Sequence, residues 1–134
     1  MNETTIAFLG CIIWMIILVL LIVAIRVTAH MTGKHKSVYF KTDGTDVSEF
    51  TTRLSRVHAN CYENFPIFGG ILLLLMVLDK TDVSNPLAYA LIGARILQGI
   101  VHLISISDKA IMLRLFFFII QFAIVLYWIG RLLS

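Results

Sequence analysis

The sequence predicts an all-α integral membrane protein: one domain over residues 1–134, built as a four-helix transmembrane bundle. Two observations carry that expectation. Of the 134 residues, 59% are hydrophobic and only 14% are charged, against about 45–50% and about 25% in soluble domains; mean hydropathy is +0.91. A bilayer core of about 30 Å needs runs of roughly 20 apolar residues, so the chain holds at most four or five, and its polar punctuation resolves four. Disorder is excluded by the apolar content. A disulfide framework is excluded because the chain has two cysteines, enough for one bridge at most.

The first helix covers about 6–27, since Ile6 to Ile25 is an uncharged run long enough to span a membrane. It does not read as a cleavable signal peptide. The leader Met1-Asn2-Glu3-Thr4-Thr5 lacks the basic residues that such peptides carry, and no small-residue cleavage site follows. The second helix is expected over 46–78. Asp46 stands three residues before Glu49, as in a capping box, and no Gly or Pro interrupts the chain until Pro66. At about 50 Å it is longer than the membrane is thick, with Pro66 expected to kink it where neighbouring helices can pack around the defect. The third helix is expected over 86–107, because Asn85-Pro86 places a capping residue before a proline at the first helical position. Asp108-Lys109 then reads as a tight turn into a fourth helix over 111–133.

The net charge of +3 and a pI near 9.1 do not signal nucleic-acid binding, which needs the cations gathered in one solvent-facing patch. Here they flank the apolar runs. Arg26, Lys34, Lys36, Lys41, Arg53, Arg56, Lys109 and Arg114 fall on one side of the membrane, and only Lys80 and Arg131 on the other. By the positive-inside rule the long first loop is cytoplasmic and both termini are not.

A charged side chain at the centre of a span costs at least about 2.5–3.5 kcal/mol, so it belongs in a bundle interior or a watery cavity. Helix two carries Arg56, His58, Asn60 and Glu63; helix three carries Arg95, Gln98 and His102. At about 100° per residue, Asn60 and Glu63 lie within about 40° of Arg56, and Gln98 and His102 within about 60° of Arg95. Two polar stripes on adjacent helices imply a shared pocket, while His58, about 160° from Arg56, points elsewhere. Arginines with a Glu and an Asn suit a small zwitterion, since guanidinium binds carboxylate bidentately and Glu pairs with ammonium. The plainer alternative is that Glu63 pairs with Arg56 or Arg95 as packing glue, although structure alone needs fewer polar groups than this.

Other features take ordinary readings. Cys11 and Cys61 read as buried small hydrophobes at opposite depths, without a bridge. No histidine spacing suggests a metal site. Lys34-His35-Lys36 reads as a solvated loop, Phe116-Phe117-Phe118 and Trp128 as facing lipid or other helices, and Gly69-Gly70 and Gly93 as points of close helix approach.

The run Arg56-Val57-His58-Ala59-Asn60-Cys61-Tyr62-Glu63-Asn64-Phe65-Pro66-Ile67-Phe68 resembles the helix-two signature of the MAPEG family, membrane-associated proteins in eicosanoid and glutathione metabolism. The four spans, the long first loop and the spacing from Arg95 to His102 extend the resemblance over nearly the whole chain. It implies a homotrimer binding glutathione between subunits near the cytoplasmic face. Arg56, Asn60, Glu63 and Arg95 would hold the ligand, with His58 at a further contact and Arg26 supporting a carboxylate. Gln98 and His102 would complete the set at positions where family members often carry Tyr. Arg114 resembles the arginine that stabilises the glutathione thiolate in the family. The expected function is a membrane-bound glutathione transferase, or peroxidase, joining the thiolate to a lipophilic electrophile delivered by the bilayer. A free thiol has a pKa of about 8.5, so a neighbouring guanidinium raises the reactive fraction at neutral pH. The alternatives are a non-catalytic lipid-binding or scaffold member of the family, and a small multidrug transporter, whose first-helix carboxylate this chain lacks. No metal is expected.

Overall fold

The computed structural model describes residues 1–134 as four antiparallel helices: α1 (Glu3–Met31), α2 (Glu49–Val77), α3 (Thr81–Ile104) and α4 (Asp108–Leu133). Each is long and apolar enough to cross a membrane. Only 31 of the 134 residues are buried, so most apolar side chains face outward, as helices solvated by lipid tails require. α3 is the central element and packs on all three others, whereas the backbones of α1 and α4 stay apart.

The helix ends differ from the sequence expectation for identifiable reasons. α1 starts at Glu3 because Asn2 caps it, its side chain accepting from the Thr5 N–H at 2.9 Å. It ends where Thr32 Oγ1 donates back to the Thr28 carbonyl at 2.7 Å and Gly33 takes φ 75°. α2 is capped by Ser48, whose Oγ accepts from the Thr51 N–H at 3.1 Å. The capping box expected at Asp46 does not form. Asp46 Oδ2 instead accepts from the Lys41 N–H and from His35 Nε2, each at 3.0 Å, and folds the long loop onto itself. The helix passes through Pro66 without a break.

The start of α3 is the larger correction. α2 closes in a Schellman motif, Lys80 N–H donating to the Leu75 carbonyl at 2.8 Å and Asp79 N–H to the Met76 carbonyl at 3.2 Å, with Asp79 left-handed at φ 53°. That reversal delivers the chain into helix by Thr81, and Pro86 lies inside α3. Asn85 therefore does not cap α3. Its Oδ1 accepts from Thr4 N–H at 3.1 Å and from Thr4 Oγ1 at 2.7 Å, while Thr4 Oγ1 meets Ser84 Oγ at 2.6 Å, stitching α1 to α3. Likewise Asp108-Lys109 is the first turn of α4 rather than the connection; Ser107 caps it, accepting from the Ala110 N–H at 3.3 Å.

Two apolar clusters fill the interior. Toward the termini Ala7, Leu72, Leu75, Leu91 and Trp128 pack together; toward the long loop Leu18, Ile22, Leu54, Val57 and Cys61 do. Close approach falls at glycines other than those expected. A Cβ on Gly99 would lie 3.0 Å from Trp14 and 3.2 Å from Val57, and one on Gly10 3.1 Å from Ile92. At Gly70 and Gly93 it would meet nothing within 4 Å, and at Gly69 its nearest neighbours are ring atoms of Phe65 in the same helix. Both cysteines are buried and free.

Candidate functional site

The polar stripes of α2 and α3 meet at the loop end of the bundle, where Arg53 Nε also donates to the Leu103 carbonyl at 3.0 Å. Helical spacing presents Arg56, Asn60 and Glu63 to one side, and the start of α4 adds Arg114. Together with His102 and the loop residues Thr42 and Asp43 they line a cavity of about 470 Å³. Beneath it lies a recess of about 20 Å³ bounded by Asn60, Cys61, Arg95, Gln98, His102 and Arg114, among others. Asn60, His102 and Arg114 belong to both.

Buried side chains order the floor. Arg95, 5% exposed, donates from Nη1 to Asn60 Oδ1 at 2.7 Å and to Gln98 Oε1 at 3.4 Å. Its guanidinium lies over the Phe68 ring, 4.5 Å from the centroid. Gln121, fully buried, donates from Nε2 to Gln98 Oε1 and to the Phe117 carbonyl, each at 2.9 Å. Sequence reasoning misses Gln121, although a lone amide inside the apolar α4 run is the signal that marks it. Thr42 and Asp43 carry no such signal, because only the path of the loop brings them to the cavity.

No carboxylate neutralises the arginines. The structure's single ion pair is His35 to Asp46 at 3.0 Å, in the loop, so Glu63 is not packing glue for Arg56 or Arg95. At the cavity mouth Asp43 Oδ1 accepts from the Thr45 N–H at 3.1 Å and from Thr45 Oγ1 at 2.8 Å. Those bonds hold the Asp43 carboxyl below the usual carboxylate range. The Lys41 N–H, and then His35, do the same for Asp46.

Two of the predicted site residues stand apart. Arg26 turns to the far side of the loop, donating from Nη2 to the Lys41 carbonyl at 3.0 Å with its guanidinium 5.8 Å from the Phe40 ring. It lines a separate groove with Val23, Val27 and Val38. His58 packs against Tyr62, ring centroids 5.4 Å apart, and lines neither cavity. The other seven, Arg56, Asn60, Glu63, Arg95, Gln98, His102 and Arg114, come together around the two cavities.

The model of the MAPEG family matches residues 4–134, essentially the whole chain. The chain belongs to the MAPEG family. Neither the curated proteins nor the solved structures contain a match to it. MAPEG proteins use glutathione, include glutathione transferases and related enzymes, and are generally trimeric. Membership makes the chain a membrane protein related to glutathione and eicosanoid metabolism. No group of His, Cys, Asp or Glu is placed to hold a metal ion.

Proposed function

We propose that the protein is a glutathione-dependent membrane transferase, with peroxidase chemistry open to the same thiolate. The observation that carries this reading is the 470 Å³ cavity, within the size range of small-molecule sites, in which Arg56 and Arg114 face Glu63 and Asp43 without pairing to them. Glutathione has two carboxylates and an ammonium. The arginines supply forks for the carboxylates, and Glu63 with Asp43 supplies acceptors for the ammonium.

Arg114 supports the thiolate electrostatically as the thiol releases its proton to solvent. The sulfur lone pair forms a C–S bond with an electrophilic carbon, and the leaving group departs with the electron pair of the bond that breaks. With a lipid hydroperoxide the thiolate attacks the terminal oxygen instead. The O–O bond breaks, the lipid leaves as its alcohol after protonation, and a second glutathione reduces the resulting sulfenic acid to water and glutathione disulfide.

In the trimer that the family favours, Arg26 and His58, which face away from this chain's cavity, contact glutathione at the boundary with a neighbouring subunit. The basic residues at the loop end favour a cytoplasmic position for that end, and in that orientation the cavity opens to cytosolic glutathione with both termini opposite.

The test is glutathione titration and conjugation of a lipophilic electrophile by the purified protein in detergent, with Arg114→Ala alongside. Saturable binding, and turnover lost in the variant, are expected. Binding of a lipophile independent of glutathione, without turnover, would assign the protein to non-catalytic lipid carriage instead.

A further inference from the structure

The recess beneath the main cavity is built unlike the rest of the site. Arg95, 5% exposed, and Arg114 both line it. Each keeps a buried N–H without a partner, Nη2 of Arg95 and Nε of Arg114. The recess has no carboxylate in its walls. The oxygens nearest Arg95 are already engaged: Asn60 Oδ1 accepts from Arg95, and Gln98 Oε1 from both Arg95 and Gln121. Donors and positive charge are in excess. The volume of about 20 Å³ admits a single atom of about the size of a water molecule.

A buried cation without a counter-charge is costly, and water placed beside it satisfies hydrogen bonds without neutralising anything. The Phe68 ring offsets part of that cost for Arg95, while Arg114, half-buried at the edge of the recess, adds positive charge and no counter-ion. We infer that the recess between Arg95 and Arg114 is a site for one monatomic anion, a halide. This site does not depend on the glutathione reading above. The inference gives Arg95 a function distinct from gripping the carboxylates of a ligand, since its guanidinium lines the floor and not the main cavity.

The experiment uses the full chain in detergent and compares sodium chloride and sodium bromide with sodium gluconate at equal ionic strength. Halide well above its dissociation constant raises the thermal midpoint by about 3 °C or more, and bromide-soaked crystals show an anomalous peak in the recess. Gln98→Glu supplies a built-in counter-ion for Arg95 while still accepting from Gln121, so it abolishes the halide shift; this variant keeps the test decisive should Arg95→Gln fail to fold. A wild-type midpoint indifferent to halide, with no bromide peak, means the recess holds water only and overturns the inference. So does a halide shift that survives in Gln98→Glu. Absence of any glutathione binding, with the halide shift intact, overturns the transferase reading and leaves the anion site standing.

Discussion

Arg95 of α3 donates to Asn60 of α2 at 2.7 Å, and this one bond joins two polar stripes 35 residues apart in the chain. Asn60 also lines both cavities, so the bond fixes the wall between them. Asn60→Leu strips a buried guanidinium of its nearest acceptor and is expected to destabilise the protein by about 1.5–3 kcal/mol. Asn60→Asp keeps the acceptor and adds a counter-charge, and should lose far less. Denaturation of both variants in detergent checks the difference.

Gly99 brings α3 against Trp14 of α1 and Val57 of α2. Gly99→Val drives methyls into Trp14 and Val57, which already stand 3.0 and 3.2 Å from the place of a Cβ, and is expected to cost about 1–3 kcal/mol. Gly93→Ala meets nothing within 4 Å and should gain about 0.5–1 kcal/mol from lower chain entropy. Thermal midpoints of the two variants, moving in opposite directions, test the packing. A loss at Gly93 would report contact with a neighbouring subunit at that face.

The number of helices was legible because lipid demands long apolar runs, and four such runs stand between polar stretches. Helix starts were less legible, because several residues compete to cap and tertiary structure picks the winner. Asp46 and Ser48 are both good caps, but the Asp46 carboxylate is taken by the Lys41 N–H and His35, which leaves Ser48. Asn85-Pro86 looked like a helix start because nothing in the sequence marks Asp79 as left-handed, a conformation usually given to Gly. In the site, Arg56, Asn60 and Glu63 were readable as one face because helical geometry is local. Arg26 was not, because its direction depends on where the loop lays Phe40 and Lys41.

The loop that brings Thr42 and Asp43 to the cavity depends on two carboxylates whose pKa values are lowered in the folded state. Lowered values mean that their contribution is complete above the ordinary carboxylate range, near about pH 4, and is lost as pH falls through the folded values. Amide exchange across residues 37–46, corrected for its intrinsic pH dependence, should show its acid-side rise only below about pH 4. Asp46→Ala removes the acceptor of the Lys41 N–H and should raise exchange there already at neutral pH. It should also weaken glutathione binding, through displacement of Asp43. Exchange as slow in Asp46→Ala as in the parent would show that other contacts hold the loop.

Arg114 allows stability and chemistry to be separated. Its side chain makes no hydrogen bond or ion pair within the chain, and its Nε is buried without a partner, so Arg114→Ala breaks no intramolecular bond. Stability should shift by no more than about 0.5 kcal/mol. If Arg114 stabilises the thiolate, kcat for conjugation falls about 10²-fold, the loss typical when one donor to a developing or resident anion is removed. Arg114→Lys should recover part of that rate, because it keeps the charge and loses the planar fork. Glu63→Gln should act differently, raising the KM for glutathione while leaving the thiolate absorbance of the saturated protein unchanged, since in the proposed pose Glu63 faces the ammonium and not the sulfur. Equal losses of binding and rate in both variants would mean that the two residues hold the same part of the ligand, and the division of labour between Arg114 and Glu63 would fall.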